Sequence, residues 1–178
     1  QEMHTAISSL KDFTSAIQKF SGKTSELLEV IFGGALALLA SDVHLEPTEA
    51  KGVLRLRIDG LLHPAYEAID LSVYHSLITR IKLLSNLKLN ISKEPQDGRF
   101  TFSYGDNVVD LRISTVPTVF GEKAVMRLLP KSSGAPSLLE LGLRGISLKN
   151  LESQLLRAHG IILVCGPTGS GKTTTLYS

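Results

Sequence analysis

The residues with the clearest chemical signal lie in the stretch HGIILVCGPTGSGKTTTLYS, residues 159–178. Gly166 to Thr173 match the spacing G-x-x-x-x-G-K-S/T, and an apolar run, 161–165, precedes the first glycine. Glycines let successive backbone N–H groups turn toward phosphate oxygens, and a helix after the loop adds its positive N-terminal end. The spacing therefore predicts a strand, a phosphate-binding loop and a helix.

The side chains of this loop have separate expected roles. Lys172 would reach the β- and γ-phosphates of ATP, and the Thr173 hydroxyl would bind Mg²⁺. A turn between a strand and a helix that binds nothing is the alternative, but every defining position of the motif is filled. We assign ATP binding to Gly166, Pro167, Thr168, Gly169, Ser170, Gly171, Lys172, Thr173 and Thr174.

A glycine loop alone does not hydrolyse ATP. The acidic residue for Mg²⁺, the residue that orients water and the other strands of such a domain would all follow Ser178. We therefore expect a truncated P-loop domain, and we expect this chain by itself to be inactive as an ATPase.

Composition and charge limit the other function classes. The chain has 178 residues, of which 43% are hydrophobic, and 19 basic against 17 acidic residues leave a net charge of +2. That charge is too small for a typical nucleic-acid-binding surface, so we expect no direct contact with nucleic acid. Cys165 is the single cysteine, which favours a cytoplasmic protein. The most apolar run, 27–40, contains Glu29 and is shorter than the roughly 20 residues that span a bilayer.

Patterns along residues 24–131 predict a compact α/β domain with an antiparallel sheet and two helices. The first helix covers about 25–40, and a second follows Asp70. GVLRLRI alternates apolar and basic residues before Asp59-Gly60, which favours a hairpin. FTFSY, VVDLRIST and EKAVMRLLP predict three more strands, and Gln96-Asp97-Gly98 before them is interpreted as a turn.

Segments outside this domain have weaker signals. Apolar residues at helical spacing within 4–20 predict an amphipathic helix, so 1–23 is interpreted as a lead-in helix and linker. KSSGAPS at 131–137 has a linker composition, and we assign 132–150 as the linker. The P-loop domain then begins within 151–178.

Several motifs together resemble the type II secretion and type IV pilus assembly ATPases. They occur in the order ASDVHLEP, LRLRIDG, EPQDGRF, VVDLRISTVPTVFGEKAVMRLL, LGL and HGIILVCGPTGSGKTTTLY. The resemblance covers about 24–178. It implies a PAS-like front domain followed by the start of a RecA-like ATPase domain.

The resemblance also implies a biological setting. Proteins of this family are cytoplasmic hexamers at the inner membrane, attached there through platform and scaffold proteins, and they use ATP to drive secretion or pilus assembly. Arg112 and Arg127 match the arginines that reach an ATP site across a domain or subunit boundary, which makes them catalytic candidates. If their strands pair antiparallel, the two side chains could form one basic patch.

Alternatives remain open at the level of residues and of function. Without the resemblance, Arg112 and Arg127 would be solvated strand residues, and a surface role is also expected for Arg55, Arg57 and Arg99. His44 is expected to be a hydrogen-bonded, partly buried histidine and not a metal ligand. For the whole protein, a non-catalytic docking module and a motor for DNA uptake are the competing functions.

Overall fold

The computed structural model describes residues 7–105, 107–130, 136–167 and 170–178. Contacts divide the chain into two units, Gln1–Lys131 and Ser132–Ser178. The first unit contains the helices α1 (Leu10–Gln18), α2 (Thr24–Ala37) and α3 (Leu71–Leu84). Its strands are β1 (Asp42–Pro47), β2 (Gly52–Ile58), β3 (Leu61–Ile69), β4 (Gln96–Tyr104), β5 (Asn107–Thr118) and β6 (Gly121–Pro130).

The six strands form one antiparallel sheet in the order β3-β2-β1-β6-β5-β4. Alternate residues of each strand point to opposite faces. The inner face packs against the helices, where Phe13, Phe32 and Tyr74 join a single apolar cluster. The strands contribute buried side chains to that cluster, among them Val43, Leu45, Leu54, Leu56, Leu111, Ile113 and Met126. The predicted α/β class with an antiparallel sheet is confirmed.

Helix α1 packs into the core of the first unit. Ser9 caps it through a 3.2 Å hydrogen bond from the Asp12 amide, and Phe13 is fully buried. The Thr14 hydroxyl donates to the Ala65 carbonyl at 2.6 Å, which ties the helix to β3. The predicted helix was longer, but residues 4–6 lie outside the described residues. The predicted domain, 24–131, does not include this helix, and folding of that segment by itself stays a prediction.

The hairpin predicted at Asp59-Gly60 is present between β2 and β3. Both turn residues have positive φ, 49° and 79°, as the tightest hairpin turns require. Asp70 stands at the N-cap position of α3 but makes no capping bond, because its carboxylate pairs with Lys51.

The turn predicted at Gln96-Asp97-Gly98 is wrong. These residues begin β4, where Asp97 pairs with Ser114. Gly98 is required there for space and not for positive φ, since an added Cβ would lie 2.7 Å from the Ser85 carbonyl oxygen. A glycine can mark a turn that needs positive φ, or a strand position that another backbone approaches closely. The sequence alone did not distinguish these two causes.

A buried polar network ties α3 to the start of β6. Lys82 is 1% exposed, and its ammonium donates to both carboxylate oxygens of Glu122 at 2.8 and 3.0 Å and to the Ile91 carbonyl at 2.6 Å. The Tyr74 hydroxyl donates to the Glu122 carbonyl at 2.6 Å, and burial raises the pKa of Tyr74. Every donor of the buried ammonium thus has an acceptor.

The second unit contains the helices α4 (Gly145–Leu155) and α5 (Lys172–Tyr177) within its described residues. The strand predicted at 161–165 is not formed, and Ile161 and Leu163 are 86% and 81% exposed. A strand needs a neighbour for its backbone hydrogen bonds, and the described part of this unit offers none. Cys165, which was expected inside that strand, is exposed.

Candidate nucleotide site and arginine row

The lysine of the glycine motif bonds backbone carbonyls at the start of the same motif. Lys172 Nζ donates to the carbonyl oxygens of Gly166 and Pro167, each at 2.7 Å. Gly171, the residue before α5, has φ of 87°, a left-handed conformation that favours glycine. A phosphate entering the loop would replace these two carbonyls as the partner of the ammonium.

The described residues of the glycine motif leave threonine hydroxyls available to a ligand. An added Cβ on Gly166 would lie 2.5 Å from Ser170 Oγ, so the chain is closely folded at this point. The Thr175 hydroxyl is occupied by the Gly171 carbonyl at 3.0 Å, whereas Thr173 and Thr174 are exposed. Thr173 therefore keeps a hydroxyl that can bind Mg²⁺. Thr168 and Gly169 of the assigned set lie outside the described residues.

The described residues offer no separate cluster for a metal. No group of three or more His, Cys, Asp or Glu side chains in that part of the chain could hold an ion. A magnesium ion at the loop would depend on the Thr173 hydroxyl together with phosphate oxygens and water, which is the usual way Mg²⁺ is bound beside a nucleotide.

Four arginines and one aspartate lie side by side across the outer face of the sheet of the first unit. We call this set the arginine row, and in strand order it consists of Arg99, Arg112, Arg127, Asp42 and Arg57. Arg112 stands directly opposite Arg127 in the β5–β6 ladder, and both are exposed. The two catalytic candidates thus share one face, as antiparallel pairing of their strands would require.

Asp42 is the acidic member of the row and is held by three neighbours. Its Oδ1 accepts from Arg127 Nε at 2.9 Å, and its Oδ2 accepts from the Ser41 hydroxyl at 2.7 Å. Arg57 Nε lies 3.4 Å from Oδ2. Burial alone would raise the pKa of Asp42, but the Ser41 hydrogen bond and Arg127 together hold it below its ordinary value.

A second ion-pair cluster lies four residues further along β1, at Glu46. Glu46 pairs with Arg55 at 3.1 Å and with Lys123. The pKa of Glu46 is lowered, because contacts with Lys123 and Arg55 outweigh the opposing effect of burial. Arg55, Arg57 and Arg99 have the expected surface positions, although the first two are half-buried in ion pairs.

His44 lies between Asp42 and Glu46 on the same face. It is 8% exposed, and neither ring nitrogen has a hydrogen-bond partner within the described residues. The predicted burial of His44 is present, whereas the described residues supply no partner for the predicted hydrogen bond. Burial, with Lys123 and Arg57 nearby, lowers the pKa of His44, because both effects disfavour the imidazolium.

Asp42 was not among the predicted site residues. A usable signal was present in DVHLE, where polar residues alternate with apolar ones on one strand, opposite the alternating arginines of LRLRI. Alternation of this kind places Asp42, His44 and Glu46 on one face, but it does not identify the strand that pairs with them.

Comparisons with known proteins agree with the antiparallel α/β architecture and place the chain in a family. A model of the family "Type II/IV secretion system protein" matches residues 18–178. Type II secretion system protein E of Pseudomonas aeruginosa is 42% identical over 152 residues, which cover 85% of this chain and 30% of that protein. Type IV pilus assembly ATPase TfpB of Acinetobacter baylyi is 46% identical over 86% of this chain and 26% of that protein.

Solved structures show the same fold at lower identity. The ATPase DotB of Legionella pneumophila aligns with a TM-score of 0.52 at 19% identity, covering 89% of this chain and 42% of that one. At this identity the likeness shows a shared fold. The chain belongs to the type II/IV secretion system protein family. It spans between a quarter and a third of the length of the two curated relatives named above.

In the part of the chain that the structure describes, no helix combines the length and the apolar character needed to cross a bilayer.

Proposed function

We propose that this chain is the front part of a motor that hydrolyses ATP to drive type II secretion or type IV pilus assembly. The observation that carries the proposal is the pair of hydrogen bonds from Lys172 to the Gly166 and Pro167 carbonyls, within a motif of P-loop spacing in a chain of this family. The names of the relatives support the setting, since they include a secretion protein E and a pilus assembly ATPase.

In this proposal the loop binds the phosphates of Mg²⁺-ATP. The Lys172 ammonium leaves the Gly166 and Pro167 carbonyls and pairs with phosphate oxygens, and the Thr173 hydroxyl joins the coordination of Mg²⁺. The metal ion, when bound, neutralises charge on the phosphates. Loop N–H groups hold the phosphates in place.

Arg112 and Arg127 stabilise the transition state of phosphoryl transfer. Negative charge spreads over the γ-phosphate oxygens as the bond breaks, and a guanidinium placed there stabilises the transition state more than the bound substrate. Both side chains are exposed and lie in directly opposite positions, so they can contact one phosphoryl group together. A neighbouring subunit or a domain rotation brings them to the loop, and hydrolysis then depends on assembly.

The proposed assembly is a cytoplasmic homo-hexamer peripheral to the inner membrane, attached through platform and scaffold proteins. Such a ring supplies a neighbouring subunit for every ATP site. Residues that polarise water and complete the sheet around the loop belong to the rest of the full-length protein.

The test is steady-state ATP hydrolysis by the assembled full-length protein. Arg112→Ala and Arg127→Ala should each lower kcat by roughly 10³–10⁵, the range for arginines that contact a transferred phosphoryl group, with KM for ATP changing much less. Lys172→Ala should abolish hydrolysis. Arg80→Ala is the matched control, since Arg80 is exposed on α3 away from the row, and it should retain the parent rate.

Two outcomes would contradict the proposal. If both row variants hydrolyse ATP at the parent rate, the arginines are only a solvated strand face. If the folded, assembled parent protein hydrolyses no ATP, the docking-module alternative is correct.

A further inference from the structure

The arginine row brings cations together on adjacent strands, and Asp42 pairs with two of them, Arg127 and Arg57. Like charges directly opposite each other on neighbouring strands are destabilising, and Arg99, Arg112 and Arg127 occupy three adjacent strands. Asp42 follows them in the row and is its only carboxylate. Its side chain is 5% exposed, whereas that of Arg127 is 64% exposed. The buried Asp42 carboxylate therefore contacts the inner end of the exposed Arg127 guanidinium, at Nε.

The contacts of Asp42 fix its two arginines to different degrees. Arg57 is held at both ends, because its Nε faces Asp42 and its Nη1 donates to the Gly60 carbonyl at 3.0 Å. Arg127 is held at Nε alone, 2.9 Å from Asp42 Oδ1. Its two Nη groups have no partner within the described residues, and neither has any nitrogen of Arg112.

A guanidinium is planar, so a hydrogen bond at Nε sets the direction of the two Nη groups. Arg127 is therefore oriented before any ligand arrives, and its outer donors stay available. We propose that Asp42 is a positioning residue that aims the Nη groups of Arg127 at the phosphoryl group transferred from ATP. This inference rests on the proposed function, in which Arg127 contacts that group.

The chain contains a matched control for Asp42. Glu46 is four residues along the same strand, on the same face, and is likewise a partly buried carboxylate between two cations, Arg55 and Lys123. Neither of those cations is among the residues assigned to ATP. Neutralising Glu46 thus reproduces the loss of a buried charge without changing the orientation of Arg127.

The experiment compares Asp42→Asn with Glu46→Gln in the assembled full-length protein. Asparagine still accepts a hydrogen bond from Nε, but a neutral bond is about half as strong as a charge-assisted one. We expect Asp42→Asn to lower kcat about tenfold and to leave KM for ATP within about twofold. Glu46→Gln should leave both parameters within about twofold of the parent. Thermal unfolding midpoints of the two variants separate a loss of stability from a loss of orientation.

A cycle with Arg127→Ala identifies the route of the effect. If Asp42 acts through Arg127, then Asp42→Asn should lower kcat no further in the Arg127→Ala background. An equal loss in both backgrounds would overturn the inference. So would a parent-like kcat for Asp42→Asn while Arg127→Ala is impaired, and in that case the proposed function survives. A parent-like Arg127→Ala rejects the proposed role of the arginine and the inference with it.

A second variant covers the case in which Asp42→Asn does not fold. Asp42→Glu keeps the charge but moves the carboxylate by one methylene, so the direction of Arg127 changes. We expect kcat to fall while KM for ATP stays within about twofold. A parent rate for a folded Asp42→Glu protein would overturn the inference.

Discussion

Glu122→Gln provides a sharp test of the buried network that joins α3 to β6. Lys82 is almost fully buried, and two of its three hydrogen bonds end on the Glu122 carboxylate. Glutamine has nearly the same volume and leaves the backbone carbonyl that accepts from Tyr74. The substitution therefore removes the compensating charge and little else.

The expected loss of stability follows from the burial of the ammonium. Removing one partner of a buried ion pair costs about 3–5 kcal/mol, because the remaining charge is left uncompensated. The amide oxygen of glutamine and the Ile91 carbonyl still accept from Lys82, which places the expected loss near 3 kcal/mol. For a unit of this size that corresponds to a fall of roughly 10 °C in the unfolding midpoint.

Urea unfolding followed by tyrosine near-ultraviolet circular dichroism measures this loss. Three of the four tyrosines belong to the first unit. Glu67→Gln is the control, since Glu67 is exposed on β3, and it should stay within about 0.5 kcal/mol of the parent. Lys82→Met added to Glu122→Gln should recover much of the stability, because it removes the stranded charge. A free energy of unfolding for Glu122→Gln within about 1 kcal/mol of the parent value would contradict this role of Glu122. So would an equal loss of stability from Lys82→Met in the parent and in the Glu122→Gln protein.

Two further predictions concern the first unit. Gly98→Ala should lower the free energy of unfolding in urea by about 1–3 kcal/mol, because the added Cβ would lie 2.7 Å from the Ser85 carbonyl oxygen. Ser103→Ala on the same strand is the control and should leave that free energy unchanged. An unaffected Gly98→Ala protein would contradict the close approach. Asp42 and Glu46 have lowered pKa values, so their ion pairs stabilise the fold fully above the ordinary carboxyl values near pH 4 and are lost as pH falls through the lower folded values. Urea midpoints measured from about pH 6 to 2 should fall less steeply in Asp42→Asn than in the parent, and an unchanged slope would show that this carboxyl does not contribute.

Local patterns predicted most of the first unit. The Asp59-Gly60 hairpin and the apolar alternation of β2 and β5 depend on residues that are close in sequence, and the structure confirms them. Gly98 was predicted wrongly, and the lack of a described hydrogen-bond partner for His44 was not predicted, because the environment of each residue comes from distant segments. The carbonyl above Gly98 belongs to the end of α3, and the ion pairs around His44 come from β2 and β6.

The candidate site was predicted unevenly for the same reason. The glycine loop is contiguous, so its spacing alone defines the predicted phosphate contacts, and its assignment to ATP stays a prediction. The strand predicted at 161–165 is not formed. A strand depends on hydrogen bonds to neighbouring strands, and the residue pattern of one segment does not show whether such neighbours are present. Asp42 and Arg127 are 85 residues apart, and only the sheet register brings them to 2.9 Å.

That register links the arginine row to the core beneath it. Leu111 pairs with Leu128, one position before Arg112 and one after Arg127, and both leucines are buried on the inner face. A slip of one residue would expose the leucines and turn the arginines inward, so the apolar alternation specifies the alignment of the charges. The stability of the sheet and the placement of Arg112, Arg127 and Asp42 therefore have one physical origin. Substitutions that shorten core side chains should lower the free energy of unfolding without moving the members of the arginine row relative to one another. Substitutions within the row should mainly change the rate of ATP hydrolysis.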